Sequence, residues 1–139
     1  MAIKQLSIFI ENKEGKLSDT IKIISDADIN IRALSIGDSQ DFGILRLIVS
    51  DTEKAISLLK EDYIVKETEV IAVKMDDKEG ALYKILKVFE DAKINVEYTY
   101  AFTAPKLGAY VVFRVNDVKS AEELLTKDGF TFVNDGDLN

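Results

Sequence analysis

An α+β fold written twice in tandem, each copy running β-α-β-β-α-β with an antiparallel sheet and helices on one face, is what this 139-residue sequence predicts. Three observations predict it. The chain repeats itself, both halves follow the same order of hydrophobic periods, and the join between them contains neither glycine nor proline.

The repeat begins at "NKEGKL", Asn12 to Leu17, which returns as "DKEGAL", Asp77 to Leu82. At an offset of 65 residues, Lys13 meets Lys78, Glu14 meets Glu79, Gly15 meets Gly80 and Leu17 meets Leu82. Ala27, Ile29 and Asn30 likewise meet Ala92, Ile94 and Asn95. Further along the offset becomes 66, matching Asp51 to Asp117, Ala55 to Ala121, Leu58 to Leu124 and Leu59 to Leu125. One residue has therefore entered near the middle of the second copy, where a hairpin loop tolerates it.

Each element follows from its periodicity. "IKQLSIFI" alternates, with Leu6, Ile8 and Ile10 on one face, which predicts a half-buried strand. After the glycine turn, Leu17, Ile21 and Ile24 recur at helical spacing, as do Leu82, Ile85, Leu86 and Phe89 in the second half. "NIRALSI" and "FGILRLIV" predict two strands around the turn-rich "GDSQD". A second helix is expected to open on Ser50 and Glu53 in capping-box spacing, with Ala55, Ile56, Leu58 and Leu59 as its apolar stripe. "YIVKE" closes the half as a strand. The second half predicts the same series through "VIAVKM", "INVEYTYAF", "AYVVFRV", "AEELLTK" and "FTFV". This is the split βαβ, or ferredoxin-like, unit.

The expected domains are residues 1–67 and 68–139. A unit of about 65 residues buries only about 60% of its unfolded surface and is marginal alone. A sheet with helices on one side also leaves a face to cover. The halves are therefore expected to pack together and the chain to form a homodimer.

Composition excludes several functions. The formal net charge of −7 argues against nucleic acid, whose phosphates need clustered Lys and Arg, and against an anionic membrane surface. There is no cysteine and no histidine, which removes disulfides, thiolate nucleophiles, Cys/His zinc sites and imidazole acid–base chemistry. The first residues alternate instead of running apolar, so no signal segment is expected and the protein is expected in the cytoplasm. Catalysis would fall to carboxylates, Lys or Tyr. The one compact acidic pair near the turn, Asp76 and Asp77, has the character of a solvated turn. No catalytic residue, metal ligand or cofactor site is assigned. "GAYVVFRV" has an aromatic strand like that of an RNA-binding module, but the first half has no counterpart to it.

The repeated turn invites a different chemistry. The first N–H groups of a helix lack intrahelical partners and sit at the positive end of its dipole, so an anion placed there gains hydrogen bonds. Glycine at 15 and 80 allows close backbone approach and a positive φ. Taken alone, these residues are better explained by Asn12 and Asp77 as plain helix caps and by the glycines as plain turn residues. A second repeated feature is asparagine entering a strand, in "INI" at Ile29 to Ile31 and "INV" at Ile94 to Val96, where β-propensity disfavours it. A third is the alternating row Tyr98, Tyr100 and Phe102, standing where the first half has Ala33, Ser35 and Gly37. It packs a large row against a small one, or one tyrosine hydroxyl lines a ligand pocket.

On these residues, "ENKEGKLSDTIKIISDADINIRALSI" and "MDDKEGALYKILKVFEDAKINVEYTY" both resemble the ACT domain, a small regulatory module that binds amino acids. The resemblance covers nearly the whole chain as two copies. Both copies carry Glu14 and Glu79 where the family's turn has proline. The resemblance implies a non-catalytic regulatory protein that senses a free amino acid between ACT domains and controls a separate amino-acid metabolic enzyme. It implies that the amides around Gly15, Lys16 and Leu17 receive the α-carboxylate, with Asn12, Asn30 and Ile31 beside them. In the second copy the implied residues are Asp77, Gly80, Ala81, Leu82, Asn95 and Val96, with Tyr98 as the pocket tyrosine. Asp77 offers a carboxylate where the first copy has an amide, so the two sites are expected to be unequal. A free-standing pair also resembles small regulatory subunits such as that of acetolactate synthase, and a ligand-free interaction scaffold is the other alternative.

Overall fold

The computed structural model describes residues 2–38, 41–105 and 108–138. Ser39 and Gln40, in the expected "GDSQD" turn, lie outside the described residues. The elements run β1 (Ile3–Glu11), α1 (Lys16–Asp26), β2 (Ile31–Asp38), β3 (Phe42–Val49), α2 (Thr52–Leu59), β4 (Ile64–Met75), α3 (Ala81–Asp91), β5 (Val96–Ala104), β6 (Gly108–Val115) and α4 (Val118–Lys127). A short 3₁₀ turn, Asp135–Leu138, follows. The chain divides into two compact units, Lys4–Thr68 and Met1–Ile3 with Glu69–Asn139.

In the Lys4–Thr68 unit the strands stand in the order β2-β3-β1, all antiparallel, with β4 next to β1. An ion pair of 3.5 Å between Lys4 and Glu67 spans the last two. The register pairs Leu6 with Leu47, Ile8 with Leu45 and Ile10 with Gly43. Because opposed residues share a face, this row meets Ile24, Ala55 and Leu59 of the helices in one buried cluster. The predicted stripe of α2 is narrower than expected: Ala55 and Leu59 are buried, whereas Leu58 is exposed.

The second unit repeats the plan with the order β4-β6-β5. Ile71, Val73, Val111 and Phe113 meet Ile85 and Phe89 of α3 and Leu125 of α4 in a second cluster. Leu82, expected on the apolar stripe, is exposed. The expected strand "FTFV" is reduced to Phe132, which bridges Val73. Lys74 N–H donates to Thr131 O (2.8 Å) and Val133 N–H to Ala72 O (2.9 Å). The stretch is short because Gly129, at φ 89°, ends the α4 turn and the 3₁₀ turn starts at Asp135.

Each first helix closes with a non-glycine residue in the left-handed region, Asp28 (φ 58°) and Lys93 (φ 57°). The bonds Ile29 N–H to Ile24 O (3.2 Å) and Ile94 N–H to Phe89 O (2.9 Å) complete a Schellman close at both places.

Capping corrects one expectation. Asp51, not Ser50, caps α2, its carboxylate accepting from the Lys54 amide at 3.1 Å. Ser50 is occupied elsewhere: its hydroxyl accepts from the Asn30 amide (2.9 Å) and its own amide donates to Asn30 O (2.9 Å). Asn116 plays the same part for Asn95, accepting from its amide through Oδ1 at 3.0 Å.

Asp117 caps α4, and the Ser120 amide and then its hydroxyl hold the Asp117 carboxyl below its ordinary value of 3.8. A folded value below the unfolded one means the carboxylate stabilises the fold above pH 3.8, and that this is lost as pH falls through the folded value. Asp117→Ala is therefore expected to unfold at lower urea than the parent at pH 7, with the gap closing when the titration is repeated below pH 3.8. A gap that stays constant with pH would assign the loss to packing instead.

Candidate functional site

Both repeated turns take the same backbone path. Gly15 and Gly80 stand at the N-cap positions of α1 and α3 with φ 81° and 82°, a conformation open to glycine at no steric cost. Neither helix start receives a side-chain cap. Asn12 and Asp77 therefore do not cap, although that was one expectation for them. In the first turn Lys13 N–H donates to Glu11 O (2.9 Å), Lys16 N–H to Lys13 O (3.3 Å) and Asp19 N–H to Gly15 O (2.9 Å). The amides of Glu14, Gly15, Leu17 and Ser18 make no hydrogen bond among the described residues. The second turn has the same bonds, Lys78 to Asp76 (2.9 Å), Ala81 to Lys78 (3.3 Å) and Lys84 to Gly80 (3.2 Å).

The first turn borders an open hollow of about 370 Å³. Glu11, Asn12 and Lys13 give it a polar edge, the rim, and Ile10, Leu17, Ile36, Gly37 and Gly43 are its uncharged lining, the floor. The antiparallel register explains the meeting: β1 ends beside the start of β3, with Glu11 opposite Phe42, and the end of β2 lies opposite Gly43. At the rim, Lys13 pairs with Glu11 at 3.1 Å. That bond, then the charges of Lys13 and Lys16, hold the Glu11 carboxyl below its ordinary 4.5, so it is ionised at neutral pH.

The predicted residues fall into two groups in each unit. Asn12, Gly15, Lys16 and Leu17 gather at the turn. Asn30 and Ile31 do not join them, because Ile31 pairs with Val49 at the far end of the sheet, roughly 25 Å along the strand. They line a separate, shallower depression with Ile21, Ser25, Asp28 and Ile29. In the second unit, Asp77, Gly80, Ala81 and Leu82 form the turn, while Asn95, Val96 and Tyr98 open β5 at the opposite end. Ala81 and Lys78 border a smaller hollow of about 220 Å³ that runs toward Asp128–Thr131 and includes Lys74 and Lys84.

Tyr98, Tyr100 and Phe102 pair with Arg114, Val112 and Tyr110, so the three share the face opposite the helices. Phe102 stacks on Tyr110 with ring centroids 5.5 Å apart. Sequence reasoning missed Ile36, Gly37 and Gly43. Glycine inside a strand pattern was the available signal, since it marks close backbone approach or an unfilled place. Among the described residues there is no group of three or more acidic side chains able to hold a metal ion, and no helix is long and apolar enough to cross a membrane.

Two split-βαβ units in tandem, each with an uncapped helix start at a glycine turn, define a paired module of the ferredoxin-like class. A family model described as an ACT domain pair matches residues 1–139, and the chain belongs to that family. It is similar to the solved structure of protein BT0572 from Bacteroides thetaiotaomicron, with 37% identity, a TM-score of 0.92, and 99% of this chain and 96% of that one covered. The regulatory subunit of aspartate kinase from Thermus thermophilus, in its ligand-free form, shares the fold at a TM-score of 0.65 and 11% identity, covering 91% of this chain and 92% of that one. Aspartokinase alpha and beta subunits match at a TM-score of 0.58 and 15% identity over 91% and 95% of the two chains. Among curated proteins, none matches this chain.

Proposed function

We propose that the chain is a non-catalytic cytoplasmic sensor that takes a free amino acid at its glycine turns and passes the signal to a separate enzyme of amino-acid metabolism. One observation carries the reading: in a member of the ACT family, an uncapped helix start with four free amides borders a hollow whose rim holds both signs of charge. The α-carboxylate is assigned to the amides around Gly15, Lys16 and Leu17. The α-ammonium is assigned to Asn12 and the ionised Glu11. In the second copy the same roles fall to Gly80, Ala81 and Leu82 for the carboxylate and to Asp77 for the ammonium.

The implied asparagines add a requirement. Asn30 and Asn95 lie far from the turn of their own unit, so each can serve a ligand only at the turn of another ACT copy. A homodimer supplies further copies. Ligand bound across such a seam would favour one arrangement of the copies by the ~1–3 kcal/mol typical of allosteric coupling, and a partner enzyme would read that arrangement.

A thermal-shift screen of the twenty amino acids tests the reading on the full chain. A ligand at 100 times its dissociation constant stabilises by about 2.7 kcal/mol, a readily measured rise in melting temperature. If no amino acid moves the melting temperature, the protein is an interaction scaffold and the sensing reading falls.

A further inference from the structure

We infer that the first copy alone holds the side-chain pocket, and that it selects an amino acid with an uncharged aliphatic side chain. This rests on the sensing reading proposed above and names the ligand class for the same site.

The floor of the hollow carries no charged group. Its aliphatic lining is Ile10, Leu17 and Ile36, of which Ile36 is 46% exposed. A charged ligand side chain placed there would give up its hydration without a partner. The floor also lacks an aromatic ring for a ligand ring to stack on. A volume of about 370 Å³ lies within the range of small-molecule pockets, ~300–1,000 Å³.

The space depends on glycine. A Cβ built on Gly43 would stand 3.5 Å from Ile36 Cδ1 and 3.6 Å from Ile10 Cγ1, in ordinary contact with both. A methyl group at 43 thus fits the fold while occupying the space between those two isoleucines. The second copy has lost this arrangement. Ile10 lies opposite Gly43, and in the same register Met75 lies opposite Ala109. Ile36 lies opposite Leu45, and Ala101 opposite Val111. Ala109 and Ala101 therefore stand where the first copy has Gly43 and Ile36. The Ile36 side chain is cut back to a methyl group, and a Cβ occupies the place that Gly43 leaves open.

Isothermal titration of the full chain with leucine, isoleucine, valine, alanine, phenylalanine, aspartate and lysine tests this. Leucine or isoleucine is expected to bind at least about tenfold more tightly than alanine, the usual return for added methylenes in an apolar pocket. Gly43→Val should lose at least tenfold of that affinity, and Ala109→Val should lose none. Should Gly43→Val fail to fold by circular dichroism, Gly43→Ala carries the same test with a smaller loss. Tightest binding of a charged or aromatic amino acid, or equal affinity for alanine and leucine, overturns the inference and leaves the sensing reading in place. Loss of binding in Ala109→Val but not in Gly43→Val places the pocket in the second copy and also overturns it. Silence from all seven while another of the twenty amino acids binds overturns the inference and leaves the sensing reading in place, whereas silence from all twenty removes both.

Discussion

Replacing Phe89 by alanine is expected to lower the free energy of unfolding by about 3–5 kcal/mol, as large aromatic truncations in cores do. The ring is 1% exposed, and it meets Phe113 edge-to-face with centroids 5.0 Å apart and planes at 79°. Such a pair adds roughly 0.5–1.5 kcal/mol beyond the area it buries. Phe89 sits on α3 one turn after Ile85, and both point into the cluster formed with Ile71, Val73 and Phe113. Truncation leaves a cavity that the sheet side cannot collapse into, because Val111, Phe113 and Val115 are held by the β6 ladder. Against a total stability of about 5–15 kcal/mol, the loss takes a large share. Urea unfolding followed by circular dichroism reads it as a drop in midpoint at unchanged slope. A loss under about 1 kcal/mol would mean that α3 does not seat this ring in the core.

Much of this was legible in the sequence because duplication states each element twice. The positive φ at Gly15 and Gly80 was legible, since glycine between a strand and a helix has few other uses. The helix face of α3 was legible through Ile85 and Phe89 at i, i+4 spacing. The added residue of the second copy falls between Thr103 and Ala109, the counterparts of Asp38 and Gly43, at a hairpin as expected. The cap of α2 was not legible. Ser50 and Asp51 are both good cap residues, and the choice was made by Asn30, twenty positions away in sequence, whose amide takes the Ser50 hydroxyl. The repeated asparagines were read through their side chains, whereas their backbone groups make the repeated bonds. The hollow was not legible either. It joins β1, β2 and β3 through strand register, and register depends on partners that local pattern does not reveal.

The second large effect is expected in the first unit. Leu45→Ala should cost about 2–5 kcal/mol, the range for buried leucine truncations. Leu45 is fully buried on the middle strand, opposite Ile8 on one side and Ile36 on the other. The three side chains form one row across the sheet beneath the helices. Its ends differ: Ile8 is fully buried while Ile36 is 46% exposed at the hollow. Ile8→Ala should therefore cost an amount similar to Leu45→Ala, and the double variant less than the two together, because the cavities merge. Ile36→Ala should cost at most about 0.5 kcal/mol, as surface changes do, and yet weaken any aliphatic ligand seated against it. Urea titrations of the four variants, each with and without leucine, separate the two roles of the row. A Leu45→Ala loss under about 1 kcal/mol would mean that β3 is shifted by one residue, since such a slip turns Leu45 to the opposite face and takes Gly43 out of the hollow.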